Sequence, residues 1–249
     1  MTASKSIPLS SFNETHSFPA EWKQGVYAAI NRRRDMRSFL PDPVPDELLG
    51  RVIWAALHAP SVGYMQPWDF IIIRGREIRE RLWRHVDGER RAAAAGFPEG
   101  ARRDQYLTFK LEGIRDAPVN MLITCDTSRS GPAVIGRNTI REMDTYSVVC
   151  AVQNLWLAAR AEGLGVGWVS ILRNETLREL FNLPDHVIPV AYLCAGWVKD
   201  FPHQPLLKAI GWLPEMELEQ VVHAEAWGTR PSAGLVESLR AGARGLAEE

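Results

Sequence analysis

Between Asp46 and Pro60 the apolar positions Leu49, Val52, Ile53, Ala56 and Leu57 recur every three or four residues, the spacing of a helix with one buried face. Asp46 stands where an N-cap would open that helix, and Pro60 where the chain must leave it. The period then changes. In "WDFIIIRG" (68–75) an unbroken apolar run meets a glycine, the pattern of a strand buried on both faces, and a helix is expected to follow from Glu77. "APVNMLITCD" (117–126), "GVGWVSIL" (165–172) and "HVIPVAYLCAGW" (186–197) read as three further strands. Helices are expected at "TYSVVCAVQNLWLAARAEG" (145–163) and "ETLRELFNL" (175–183). The first of these is apolar almost all round, so it should run through a core or an interface.

Alternation of these elements predicts a layered α/β or α+β sheet in one domain. Residues 1–20 read as a polar N-terminal segment, and about 214–249, which turns Ala/Gly/Arg/Glu-rich past Trp227, as an arm or as a tail disordered at its end. A charged, alanine-rich stretch broken by "AGFPEGARR", about 88–113, reads as helices around a mobile excursion and is the candidate lid.

Composition narrows the function classes. Of 249 residues 46% are hydrophobic and 24% charged, with a net charge of −1 and no apolar run long enough to span a bilayer. A membrane protein is therefore not expected, and the near-neutral balance argues against nucleic-acid binding. The N-terminus lacks the apolar core of a signal peptide, and Cys125, Cys150 and Cys194 are too scattered for a disulfide framework. These features predict buried thiols in a cytoplasmic protein. The six histidines show no ligand spacing, so no metal is expected.

Two motifs lose their sharper readings. "GLGVG" (163–167) follows a helix and enters a strand, the reverse of a dinucleotide fingerprint, and reads as a helix C-cap with a tight turn. Ser61 in "APSVGY" lacks the first glycine of a nucleophile elbow and an obvious His partner; His58 reads as packed or partly exposed. The octamer "RRRDMRSF" (32–39) is different in kind. Four arginines within it suit a small anion, since each guanidinium can grip phosphate oxygens in a planar fork. Asp35 inside that field has its ionised form favoured unless burial opposes it.

Taken with "APSVGYMQPWDF" (59–70) and "GLGVGWVSIL" (163–172), the octamer resembles the flavin-binding nitroreductase family, over roughly Tyr27 to Trp212. The resemblance is strongest to the branch that carries Asp35 where ordinary nitroreductases have serine. It implies an α+β fold, a three-layer α/β/α sandwich with a mixed central sheet, assembled as a homodimer. It also implies an enzyme that takes reduced FMN as substrate and, with O2, cuts it to dimethylbenzimidazole, the lower ligand of vitamin B12, and erythrose 4-phosphate. NAD(P)H would then act only indirectly, through a separate flavin reductase as partner. By the same resemblance Arg33, Arg34 and Arg37 hold the flavin's phosphate and ribityl or ring oxygens, with Met36 between them as part of the binding segment. Ser61, Met65, Gln66, Gly167 and Trp168 line it, and Asp35 and Ser170 are catalytic. Trp68 is expected to be packing. The alternatives are an FMN-dependent NAD(P)H nitro or quinone reductase, and a flavin-binding protein without turnover.

Overall fold

The computed structural model describes residues 16–109, 111 and 113–245, so most of the expected polar N-terminal segment and the last four residues of the tail lie outside the described residues. In chain order the elements are α1 (Ala20–Arg32), α2 (Asp46–Leu57), a 3-10 turn at Val62–Tyr64, β1 (Trp68–Ile73), α3 (Arg76–Ala94), α4 (Ala101–Leu107), α5 (Gly113–Asp116) and β2 (Val119–Asp126). They continue with α6 (Met143–Ala161), β3 (Gly165–Val169), α7 (Asn174–Phe181), β4 (Val187–Gly196), α8 (Leu206–Ala209), α9 (Leu218–Val221) and α10 (Ala233–Gly245). No helix among the described residues is long and apolar enough to cross a membrane.

Contacts divide the chain into two compact units, 33–213 and one that combines 1–32 with 214–249. In the first, the sheet order is β1-β2-β4-β3, and every neighbouring pair is antiparallel. The parallel element of the expected mixed sheet is thus reduced to one bridge, between Asp35 and Val166. β2 and β3, which do run parallel to one another, are separated by β4.

Strand pleating builds three layers. Val119, Met121, Ile123 and Cys125 of β2 share a core with Ala191, Leu193 and Ala195 of β4 and with Val52 of α2 and Val148 and Leu155 of α6. The alternate positions Leu122, Tyr192 and Cys194 point to the other face, where they meet Leu82 and Val86 of α3, Ile114 of α5 and Leu177 of α7. Two central strands buried on both faces explain why their sequences carry apolar residues at successive positions.

Three local readings change. Asp46 is the first helical residue of α2 rather than its cap: Pro45 takes the cap position without a side-chain bond, and the Asp46 carboxylate pairs with Arg74. β3 stops at Val169, so Ser170, Ile171 and Leu172 leave the ladder. Cys150 is exposed on α6, whereas Cys125 and Cys194 are buried.

In the second unit, α1 has no buried residue and presents Trp22, Val26, Tyr27 and Ile30 to solvent. There α10 meets α9 through an Arg240–Glu219 ion pair.

Candidate active site at the edge of the sheet

β3 is an edge strand, and its outer side would carry unpaired backbone groups if nothing covered it. The octamer supplies the cover. The Met36 N–H donates to the Val166 carbonyl at 2.9 Å, and just past the octamer the Leu40 N–H donates to the carbonyl of Trp197, the residue after β4, at 2.8 Å. The side chain of Asp35 then extends the ladder by one rung: its Oδ1 accepts the Trp168 N–H at 2.9 Å.

Such close seating needs glycine beneath it. A Cβ at Gly167 would lie 2.0 Å from the Met36 carbonyl oxygen, and one at Gly165 would lie 2.4 Å from Val198 Cγ1 and 2.9 Å from Met36 Cγ. Gly163 does the expected work of a C-cap: at φ +82° it ends α6, its N–H donating to Arg160 O and that of Leu164 to Ala159 O, a Schellman pair. One glycine of the three therefore ends a helix, and the other two make room for the chain that carries Asp35.

Over this edge lies a cleft of about 560 Å³, counted out to its open mouth. Met36, Gly167 and Trp168 line it together with Asp35, Arg37 and Ser170, and Phe39, Phe109, Leu111 and Ile114 give it apolar walls. Ser170 stands in this space one residue past the end of β3. Cys194 also lines it, but burial pushes that thiol far up, so it stays protonated and is no nucleophile.

Asp35 has 39% of its side chain accessible, and its Oδ2 lies 3.6 Å from Arg37 Nε. Burial of its remaining surface raises its pKa above the usual carboxylate range; the Trp168 N–H, Arg37 and Arg33 pull it down without cancelling that rise. A carboxylate held in this way is a stronger proton acceptor than one in water.

The other arginines of the octamer have separate duties. Arg33 lies over the Trp156 ring, 4.8 Å from its centroid, and Trp156 Nε1 donates to the Arg34 carbonyl at 3.3 Å. Arg34 turns to backbone, donating from Nη1 to Arg33 O at 2.7 Å and from Nη2 to His203 O. Of the four, Arg37 alone lines the cleft among the described residues.

Ser61, Met65 and Gln66 do not line this cleft; they precede β1, at the opposite edge of the sheet. Ser61 Oγ accepts the Gln66 N–H at 3.1 Å, and Ser147 Oγ accepts the Val62 N–H at 3.0 Å. Beside Gly63 (φ 51°), Tyr64 and Gln66 also have positive φ (55° and 49°), a left-handed backbone that costs non-glycine residues and that a fold keeps only where surrounding contacts impose it. Arg129 holds the exit of this turn, donating to the carbonyls of Gln66 and Trp68 at 2.8 and 2.9 Å and to both oxygens of Asp69 at 2.8 Å. Met65 is buried with its sulfur 3.8 Å from Arg137 Nη1, Tyr64 is exposed, and Trp68 is packed in the core. His58 is exposed and lies against Trp54, with ring centroids 3.9 Å apart and the planes tilted by 39°.

The stretch predicted to be a lid contains the end of α3, the break at 95–100, and α4. Its return to the cleft is fixed by Arg90, whose Nη1 donates to the carbonyls of Leu107 and Phe109 at 2.9 and 3.2 Å while Nη2 holds Asp87 Oδ1 at 2.5 Å. Asp87 is only 11% accessible: burial acts to raise its pKa, but its bonds from Arg90 and Arg91 prevail and hold it below the usual carboxylate range. A depressed carboxylate stabilises the fold above its unfolded pKa, and that contribution is lost as pH falls through the folded one. Asp87→Asn is therefore expected to cost about 1–3 kcal/mol at neutral pH. Urea titrations at decreasing pH should show the deficit shrink toward zero once the wild-type Asp87 is itself protonated.

Phe109, Leu111 and Ile114 escape a motif search because they are ordinary apolar residues of one short stretch, 109–114, far from the octamer in the chain. Cys194 carried a weak signal, since alternation along "AYLCAG" puts it on the face opposite Leu193.

This arrangement has relatives. A 5,6-dimethylbenzimidazole synthase of Rhodospirillum rubrum is 40% identical over 197 residues, covering 78% of this chain and 92% of its own. One of Rhodobacter capsulatus is 31% identical over 208 residues, covering 84% and 97%. Among solved structures, oxidized iodotyrosine deiodinase bound to FMN and 3-iodo-L-tyrosine superposes with a TM-score of 0.62 at 20% identity, covering 81% of this chain and 98% of its own, a likeness of fold. The nitroreductase family model matches residues 30–197, a span that runs from the arginine octamer through the last strand of the sheet: the chain belongs to the nitroreductase family.

Proposed function

We propose that this protein is a 5,6-dimethylbenzimidazole synthase, an oxidoreductase that fragments reduced FMN with O2 to dimethylbenzimidazole and erythrose 4-phosphate. The observation that carries the reading is the seat of Asp35: a carboxylate pinned to an edge strand, with raised proton affinity, facing a cleft it shares with Ser170. The cleft suits a flavin by its donor set. Apolar walls fit the faces of a flat tricyclic ring, and Arg37, Asp35 and Ser170 offer the few convergent polar groups that fix its edges.

Reduced flavin, when bound, supplies both the electrons for O2 and the carbon skeleton that is cut. The chain's own groups bind, orient and move protons. Arg37 would hold the ribityl phosphate arm or the ring oxygens, while Met36, Gly167 and Trp168 form the surface beneath. Asp35 takes the proton from the ribityl carbon next to the ring. Ser170, whose hydroxyl both donates and accepts, serves the ring edge near N5. Phe109 and Leu111 keep water from that proton transfer. Arg34 braces the segment from behind through the His203 carbonyl.

The enzyme works as a homodimer in this reading. The Asp35 cleft and the Ser61–Gln66 turn flank opposite edges of a four-stranded sheet, three strand spacings or about 14 Å apart. A second copy brings the Ser61, Met65 and Gln66 of one chain to the Asp35 of the other. Tyr146, Val149 and Cys150, exposed along α6, are the apolar surface such a partner covers. Electrons reach FMN through a separate NAD(P)H-dependent flavin reductase.

Incubation with FMN, a flavin reductase, NADPH and air tests the assignment. Dimethylbenzimidazole should accumulate, and should not when this protein is omitted. NADPH consumed by the protein alone, without that product, would make it a nitro or quinone reductase instead; neither outcome would leave a flavin-binding protein.

A further inference from the structure

Asp35 is not the last member of the chain of contacts that starts at β3. Its counter-ion, Arg37, has its guanidinium carbon 5.1 Å from the centroid of the Phe109 ring, within the range of a cation–π contact. Phe109 is itself held from three directions. Its carbonyl accepts from Arg90, its ring lies 5.3 Å from Trp212 and 5.8 Å from Tyr106, and Phe97 closes the aromatic group at 4.9 Å from Tyr106. Arg102 covers the far side of Trp212 at 4.6 Å, and Gln105 donates to the Ile210 carbonyl. The ring that touches Arg37 is thus locked by α3, α4 and the segment after α8.

We infer that Phe109 is a positioning residue for the reaction: by covering the face of Arg37 it keeps that guanidinium beside Asp35, so the lid segment controls the charge of the acid. It touches neither reacting atom and acts through Arg37. This deepens the proposed function and rests on it for the role of Asp35 in turnover, although the contact chain itself needs no flavin. Among the described residues, the charged groups facing Asp35 are Arg33 and Arg37 of its own segment, with the Cys194 thiol on β4 neutral. Arg33 is committed to Trp156, which leaves Arg37 as the counter-ion that Phe109 holds in place.

A purely apolar wall and a cation–π partner make different predictions. Leucine at 109 keeps an apolar cover but has no ring quadrupole, whereas tryptophan keeps the quadrupole and strengthens it. In flavin-free protein, carboxyl ¹³C NMR of aspartate-labelled samples, assigned by loss of the signal in Asp35→Asn, reads the Asp35 titration directly. The expected order is a midpoint higher in Phe109→Leu than in wild type, and equal or lower in Phe109→Trp. In an Arg37→Met background the same leucine substitution should move nothing, because the mediating cation is gone. With FMN, flavin reductase and O2, the acid limb of the product-formation profile should shift upward with the NMR midpoint in Phe109→Leu, and Phe109→Trp should restore it. Equal midpoints in wild type, leucine and tryptophan proteins overturn the inference, and so does a leucine effect that survives in the Arg37→Met background. Because the titration needs no turnover, its failure is separable from failure of the synthase assignment.

Discussion

Asp35→Asn lowers dimethylbenzimidazole formation by about 10²- to 10⁴-fold, the usual worth of a positioned proton transfer, while reduced FMN still binds. Binding survives because the amide oxygen can still accept the Trp168 N–H, so the segment stays on β3 and Arg37 stays in the cleft. Stability should move the other way from activity. A carboxylate whose folded pKa is raised contributes stability below its unfolded pKa and loses it as pH rises through the folded value. The ionised acid is thus a small burden at neutral pH, moderated by its 39% accessibility. The asparagine protein is expected to match or slightly exceed wild type in urea midpoint at neutral pH, an advantage that disappears in acid. Product yield per FMN consumed, measured beside those midpoints, checks both halves. Normal turnover in this variant would remove Asp35 from the mechanism.

Gly167→Ala is the second large effect, and it strikes backbone against backbone. The added methyl would sit 2.0 Å from the Met36 carbonyl oxygen, where no rotamer change relieves it. Lifting residues 35–36 off β3 breaks the Met36–Val166 bond, for which an overpacking cost of about 1–3 kcal/mol is expected. Because Asp35 moves with that backbone, a displacement near 1 Å should lower turnover by about 10²-fold even in molecules that fold. Gly88 supplies the control. It lies within α3, and a Cβ added there would meet nothing within 4 Å, so alanine should raise stability by about 0.5–1 kcal/mol and leave turnover unchanged. Wild-type stability and turnover in Gly167→Ala would mean that the octamer does not rest on the edge strand.

The two central strands and α6 were legible in the sequence because burial writes a pattern. β2 and β4 are covered on both faces, so their apolar runs stand out from any register. α1 and α10 were not among the expected helices, although Trp22, Val26, Tyr27 and Ile30 of α1 recur at helical spacing; that stripe stays exposed instead of joining a core. Gly165 and Gly167 were visible as glycines of a turn entering a strand, but the need for them was not, because the Met36 atoms that a Cβ at either would meet lie about 130 positions earlier. The arginines show the same limit. Arg34 and Arg37 look alike in the octamer, yet one spends its donors on main-chain carbonyls and the other faces Asp35. Nor does the order of residues reveal which strands become edges, and it is this that separates Ser61, Met65 and Gln66 from Asp35 within one chain.

Residue 35 owes its address to its neighbours' main chain: the Met36 amide docks on Val166, over the space that Gly165 and Gly167 leave empty. What projects from position 35 is therefore a replaceable tool on a fixed mount. Any short side chain with one acceptor can take the Trp168 amide, and natural variation there would exchange one chemistry for another while the scaffold goes unaltered.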